Sequence, residues 1–386
     1  MKVVDIISSD LAFMQLGNRL KKINEAGIEN SIVFPTGYSN EKFKSLGIPF
    51  VLYDKFADFS FRPGYFLRTS KELSELISDL KPDIIHTHDS KAGTLGRVAG
   101  RKAKVPIVIH QVHGFFFRRH TGVKRKIFAS IEKYLSNKCD IMLFQNREDL
   151  KEARNLNFDR KARLIFINNG IDFSDFDRLE RKFSPKDEGI LRLVYVARMD
   201  ENKNHEMVFK ALERIAESIP IELHLIGDGP LFERHKKRIA ETTRLANCVV
   251  FHGFVDRKGI SKITNKCHIN LLSSKQEGKP RTAMEAAYMG IPTIATDIEG
   301  TREVVIPGVT GELVPFDDYA AMKEKVEKLY RNSDYWYKLT LSSRKYAEEN
   351  FDENKVVDKL LTIYKFSYEG KWKELQDYAV CLENQR

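Results

Sequence analysis

Two glutamates eight positions apart, Glu277 and Glu285, lie in the run SSKQEGKPRTAMEAAYMGIPTIATDIEGTRE that spans Ser273–Glu303. Glu277 and Gly278 read as a turn. Pro280 suits the first position of the helix that follows, where a missing N–H costs nothing. The amides of Arg281, Thr282 and Ala283 would then be unpaired donors at the positive end of that helix, an anion site suited to phosphate. A carboxylate on either side of such a site repels phosphate and instead accepts hydrogen bonds from hydroxyls, as on ribose or a hexose. Two glutamates alone would be an ordinary solvated helix face. Gly278, Pro280, the small residues Ala283, Ala286, Ala287 and Gly290, the Gly290-Ile291-Pro292 turn and Gly300-x-x-Glu303 in one run argue for a built site.

The elements that must position this run follow a strand–loop–helix pattern. Short apolar stretches predict buried parallel strands at Val3–Ile7, Ser31–Phe34, Asp83–His86, Ile107–His110, Ile141–Phe144 and Leu164–Ile167. A second series lies at Leu191–Val196, Ile221–Ile226, Cys248–Phe251, Ile269–Leu272, Thr293–Ala295 and Glu312–Val314. Amphipathic stretches such as Leu16–Ala26, Thr69–Leu80, Asn204–Glu217 and Lys323–Tyr330 suit crossover helices, and Phe173–Gly189 reads as a linker. The expected fold class is α/β, with two doubly wound Rossmann-like domains facing a central cleft. Such sheets bind ligands beyond their strand C-termini, where Ser273 begins.

In this order and spacing the motifs resemble the retaining family 4 glycosyltransferases of GT-B architecture, over nearly the whole chain. The signature is Glu277-x7-Glu285 in S-x-x-x-EG-x-P-x-x-x-x-EA, followed by G-x-P and G-x-x-E. Arg198 and Lys203 match the family's Arg-x4-Lys, Asn169-Gly170-Ile171-Asp172 its N-G-[VI]-D, and His86-Thr87-His88 and His113-Gly114 its N-terminal histidine motifs. The resemblance implies a nucleotide-sugar donor, most readily a UDP-sugar, held by a C-terminal domain at 179–360. An N-terminal acceptor-side domain at 1–178 would be completed by a C-terminal helix returning at about 360–386. Glu285 would take the ribose hydroxyls and Glu277 the sugar hydroxyls. Gly278, Lys279, Pro280, Arg281 and Thr282 would surround the diphosphate and sugar. Arg198 and Lys203 would neutralise the departing diphosphate without a metal, and His113 would stand beside the transferred sugar. Relatives carry a Gly-Gly pair in the first N-terminal loop, where Ser8–Gly17 offers only Gly17. Lys279 replaces an apolar residue, either as an added cation at the phosphate or facing solvent. No role is evident for the tail Lys371–Arg386.

Two rivals of other classes are a sugar-nucleotide epimerase on the same architecture and a non-catalytic nucleotide-sugar-binding subunit. The filled Arg, Lys and Glu positions favour transfer to a glycan, lipid-linked or small-molecule hydroxyl. Asp175-Phe176-Asp177 is a D-x-D, but it falls in the expected linker. Gly227-Asp228-Gly229 lacks the third glycine of a dinucleotide fingerprint. The histidines 86, 88, 110 and 113 have no Cys or carboxylate spaced to finish a zinc set, so neither a metal nor a further cofactor is expected.

The 386 residues carry 64 Lys and Arg against 54 Asp and Glu. Residues 1–178 hold 30 basic and 21 acidic side chains, and residues 101–150 alone hold 11 and 4. In HGFFFRRHTGVKRKIFASIEKY, the cations Arg118, Arg119, Lys124, Arg125 and Lys126 run alongside Val123, Ile127, Phe128, Ile131 and Tyr134, which share one helical face. That is either a core-packed helix with a solvated basic side or a site for an anionic acceptor or membrane surface. No base-stacking or DNA-binding motif accompanies the charge, so nucleic acid is not expected. Four scattered cysteines, no signal-peptide pattern and no long apolar window lead to an expected cytoplasmic location, with peripheral attachment at the inner membrane face left open.

Overall fold

The computed structural model describes residues 1–56, 62–177, 179–180 and 184–384. They form two compact units, Met1–Asn169 with Asn354–Arg386, and Gly170–Glu353. The first contains β1 (Lys2–Ile6), α1 (Ala12–Glu25), β2 (Glu29–Phe34), α2 (Ser39–Ser45), β3 (Phe50–Leu52), α3 (Pro63–Leu80), β4 (Ile84–His88), α4 (Ser90–Lys102), β5 (Ile107–Val112), α5 (Gly122–Ser136), β6 (Ile141–Phe144), α6 (Arg147–Asn155) and β7 (Arg163–Phe166). The second contains β8 (Leu191–Val196), α7 (His205–Ile215), β9 (Ile221–Ile226), α8 (Phe232–Glu241), β10 (Val249–Phe251), α9 (Arg257–Thr264), β11 (Ile269–Leu272), α10 (Arg281–Tyr288), β12 (Thr293–Thr296), β13 (Gly311–Val314), α11 (Tyr319–Arg331) and α12 (Ser333–Asn350). The chain then returns to the first unit as α13 (Glu353–Tyr368) and α14 (Trp372–Asn384).

Both sheets are parallel, in the orders β3-β2-β1-β4-β5-β6-β7 and β10-β9-β8-β11-β12-β13. The strand order reverses between β1 and β4 in one unit and between β8 and β11 in the other. Each reversal opens a crevice beyond the strand ends. The strands are apolar runs because both of their faces are covered. Along β6, Ile141 and Leu143 enter one core and Met142 and Phe144 the other, as a two-residue period requires. The first of these cores is closed by Val356, Leu360, Ile363 and Tyr364 of α13 and by Leu375, Ala379 and Leu382 of α14. The tail is therefore part of the core, and Arg163 of β7 lies 4.5 Å over the ring of Trp372.

Several expectations change. Strand β3 and helix α4 escape the sequence pattern. Helix α4 carries Gly93, Gly96 and Gly100, poor helix formers that permit close packing here. A Cβ on them would lie 2.3 Å from the ring of His110, 2.5 Å from Thr87 and 2.1 Å from Ile85, respectively. Gly17 is not in a loop. It is buried within α1, where a Cβ would meet the ring of Phe13 at 2.7 Å. In the Asp-x-Asp stretch, which the sequence reading sets aside, Asp175 pairs with Arg257 and the Asp177 backbone amide donates to the Ser261 hydroxyl at 3.1 Å.

Candidate active site

The β8 and β11 ends that flank the reversal in the second unit lead directly into the predicted residues. After β11 the backbone passes through Ser273 and Ser274 to Glu277, and after β8 it passes through Arg198 to Lys203. The two loops are tied together. The Lys203 carbonyl accepts from the Tyr195 hydroxyl at 2.5 Å and the Ser273 hydroxyl at 2.9 Å. Asn202 receives the Lys275 amide at 2.7 Å and donates its side-chain amide to the Gln276 carbonyl at 3.0 Å. Thr296 donates to the Ser274 carbonyl at 2.7 Å. These bonds fix backbone, so the charged side chains start from set positions.

The Lys203 ammonium lies 2.5 Å from the Glu277 carboxylate, which also accepts from the Ser274 hydroxyl at 2.5 Å. Burial pulls the Lys203 pKa down, but Glu277, Tyr195 and Asp200 outweigh it and leave the ammonium held above its ordinary range. Exposed Arg198, by contrast, has no ion-pair partner among the described residues. A Cβ at Gly227 would sit 2.0 Å from the Ala197 carbonyl, so the Gly-Asp-Gly stretch serves as a backbone support for the Arg198 loop.

Pro280 is the residue before α10 rather than its first helical residue, and its side chain makes no capping hydrogen bond. Glu285 lies one turn in and is buried. Burial pushes its carboxyl up, against the lowering influence of Arg257 and Arg281. Gly300 explains the G-x-x-E motif. Its φ is +81°, and a Cβ would approach the Gly278 carbonyl oxygen to 2.3 Å and that of Glu277 to 2.6 Å. The glutamate loop thus lies directly on Gly300. Lys279 does not face solvent: its side chain is 3% exposed, and the ammonium is 3.3 Å from Glu303, the last residue of the same motif. Its position fits an anchor for the loop.

In the first unit, β1, β4 and β5 carry a buried polar line. His88 Nε2 is 2.6 Å from Asp5, His88 Nδ1 is 3.2 Å from His113 Nε2, and His113 Nδ1 is 2.5 Å from the Gln145 amide. Burial pushes the Asp5 carboxyl up, against the lowering influence of His86, Asn30 and Arg19. With His88 Nε2–H donating to Asp5, His88 Nδ1 accepts from His113 Nε2–H and His113 Nδ1 accepts from Gln145. Burial, with Arg19 adding to it, pushes His88 down to about 3 and keeps it neutral. Both ring nitrogens of His113 are engaged within this unit, so a ring contact with sugar requires an exchange of partners. Of the basic run, Arg118 is 3.4 Å from Asp149 and Arg125 is 2.7 Å from Glu152. Arg119, Lys124 and Lys126 are exposed. Ser274, Tyr195, Asn202, Asp5 and Gln145 are supporting residues that no sequence motif singled out; only their positions on or just beyond strand ends mark them.

Known proteins resemble this chain in sequence and in fold. The profile described as Glycosyltransferase Family 4 matches residues 14–175, and Glycosyl transferases group 1 matches residues 176–350. EpsD of Bacillus subtilis is 28% identical over 310 residues, covering 77% of this chain and 80% of that protein. The Escherichia coli UDP-Gal:alpha-D-GlcNAc-diphosphoundecaprenol alpha-1,3-galactosyltransferase is 32% identical over 260 residues, covering 64% and 66%. The crystal structure of Anabaena HepE in complex with UDP-glucose superposes with a TM-score of 0.78 at 17% identity, covering 95% of this chain and 99% of that one. Two parallel Rossmann-like units, the ordered motifs and both family profiles converge: the chain belongs to the family 4 glycosyltransferases of GT-B architecture, which transfer sugars from nucleotide-sugar donors.

Proposed function

We propose that the protein is a retaining, metal-independent glycosyltransferase that moves a hexosyl group from a UDP-sugar to a hydroxyl of a lipid-diphosphate-linked saccharide. The observation that carries this reading is the Lys203–Glu277 pair set in the loop that leads into α10 at the reversal of the second sheet. A sugar diphosphate needs hydroxyl acceptors and phosphate donors side by side, and this pair supplies one of each. Glu277 takes the sugar hydroxyls and Glu285 the ribose. The first amides of α10, around Arg281 and Thr282, meet the diphosphate, and Gly278 and Pro280 shape the approach to it. Lys279 holds the loop through Glu303. The bond from the anomeric carbon to the diphosphate oxygen breaks with its electron pair on the diphosphate, where Arg198 and Lys203 stabilise the growing charge. The acceptor oxygen bonds to the anomeric carbon on the face the diphosphate leaves, and its proton passes to the released diphosphate.

The UDP assignment is supported by the ligand in the HepE complex, and the acceptor class by the printed name of the E. coli relative. We assign the first unit, with His113, Arg119, Lys124 and Lys126, to the acceptor, in keeping with its positive charge. The reaction would then take place where lipid-linked acceptors reside, at a membrane surface. UDP release measured with a panel of UDP-sugars, with and without a lipid-diphosphate saccharide, tests the reading. Acceptor-dependent release supports it; release that ignores the acceptor, or none with any UDP-sugar, refutes it.

A further inference from the structure

His88, on β4, is fully buried, and both of its ring nitrogens are engaged. Nε2 lies 2.6 Å from Asp5 of β1, and Nδ1 lies 3.2 Å from His113 just beyond β5. The ring of His86 packs against it with centroids 4.3 Å apart, and His86 Nδ1 is in turn 2.7 Å from the Tyr364 hydroxyl of α13. The next residue, Asp89, has φ +51° and ψ 174°, a conformation that residues other than glycine rarely adopt. Four hydrogen bonds hold it there. Its carboxylate accepts from the Ser8 amide at 2.8 Å and hydroxyl at 2.7 Å, and from the Lys91 and Ala92 amides at 2.9 and 3.0 Å. Strain held in place this firmly is a sign that a neighbouring group has to be aimed. The neighbouring group is the His88 ring, and it is aimed at His113.

We propose that His88 is a positioning residue for His113, fixing the orientation of that ring and the tautomer that carries its proton at Nε2. The inference rests on the proposed transfer reaction, in which His113 stands beside the donor sugar. With its Nε2–H on Asp5, His88 offers His113 only a lone pair at Nδ1, so the nitrogen facing it is the donor. Gln145, 2.5 Å from His113 Nδ1, completes that assignment. The His88 contact is the longer of the two, so it is the one that yields when a sugar oxygen comes within reach. The N–H is then already in place to be donated. Asp5, His86 and His88 also offer three ligand atoms within 4.8 Å of one another. Two features argue against an ion among them. Ligand atoms on a tetrahedral zinc stand about 3.3 Å apart, whereas Asp5 and His88 are at hydrogen-bond distance. The buried Arg19 also sets a positive charge close to all three.

The test reads histidine tautomers by NMR of the whole protein labelled at the histidine nitrogens, with transfer rates measured beside them. The His113 signals are identified by their loss in His113→Ala. Wild type should carry the His113 proton at Nε2; a proton at Nδ1 overturns the proposal without any variant. His88→Ala should give a mixture of tautomers, since the Gln145 amide can turn to meet either. Its kcat should fall about 100-fold at little-changed donor KM. His88→Asn sets an amide oxygen near the former Nδ1 and should return the rate to within about tenfold of wild type. In a His113→Ala background, His88→Ala should cost less than about threefold, because the two residues act as a unit. The same cost with and without His113, or an asparagine variant no faster than the alanine one, would make the role of His88 merely structural and overturn the proposal. A wild type that transfers nothing, yet shows a His113 Nε2 proton that His88→Ala displaces, would sink the reaction reading and leave the link between the two histidines standing.

Discussion

Replacing Lys203 by Met keeps the side chain's bulk and removes its charge, leaving Glu277 as a largely buried carboxylate without its cation. The Lys203 and Glu277 side chains are 22% and 12% exposed. Breaking a buried pair by removing one partner costs about 3–5 kcal/mol, because the remaining charge is uncompensated. Here the Ser274 hydroxyl still donates to Glu277 at 2.5 Å, and residual exposure admits water. The expected loss is therefore near the lower end, about 3 kcal/mol. Adding Glu277→Gln removes the orphaned charge and should restore stability to within about 1 kcal/mol of wild type. Urea unfolding, followed on the transition that contains the second unit, measures both. Transfer behaves differently, since both groups are assigned to the donor: each single change lowers the rate at least about 100-fold, and the double variant recovers none of it. A Lys203→Met loss below about 1 kcal/mol, or a double variant less stable than the single one, would refute the pairing argument.

Three further outcomes follow from the same geometry. Gly300→Ala should move the Glu277–Gly278 backbone by about 1 Å to relieve a 2.3 Å approach and should cut transfer by about 100-fold; unchanged kinetics would show that the loop does not depend on Gly300. Glu285 is held up by burial and must be ionised to accept ribose hydroxyls, so UDP affinity in calorimetry should fall as pH drops through its raised pKa. Glu285→Gln should bind weakly at every pH, and the same pH slope in that variant would remove Glu285 from the ribose. His205 is pushed down to about 3 by burial, and neither ring nitrogen has a partner among the described residues. The fold keeps it neutral while the unfolded chain takes up a proton below its ordinary pKa of about 6.5, so its contribution to stability falls on acidification. His205→Phe should raise the melting temperature more at pH 5.5 than at pH 7.5, and an equal rise at both would contradict the assignment.

The parts of the fold legible in the sequence are those where burial dictates composition. Strands covered on both faces become Val- and Ile-rich runs, and the apolar pattern locates most of them within a residue or two. Phe50–Leu52 was too short to carry a pattern, and α4 was hidden by three glycines that serve tertiary contact at the expense of helix propensity. Spacing announces Glu277 and Glu285, but it cannot show that Lys279 reaches Glu303 or that Ser274 holds Glu277, because those contacts join positions with no periodic relation. In α5 the sequence period groups Phe128 with Val123, Ile127, Ile131 and Tyr134 on one face, but the fold turns Phe128 inward and leaves Val123, Ile127 and Tyr134 exposed. Whether anything covers that face depends on which neighbours the rest of the chain brings, and here Phe128, Leu135 and Glu132 turned the other face inward.

On the proposed reading, the Lys203–Glu277 pair in the loop before α10 directs retaining transfer from a UDP-sugar. One reaction tests it: an α-linked UDP-sugar and a lipid-diphosphate saccharide in the presence of a chelator, with the product's anomeric configuration read by NMR in wild type, Lys203→Ala and Glu277→Ala. The expected product is α-linked, and its rate of formation is indifferent to the chelator and falls at least about 100-fold in either variant. A β-linked product, or variants that turn over at the wild-type rate, would contradict it.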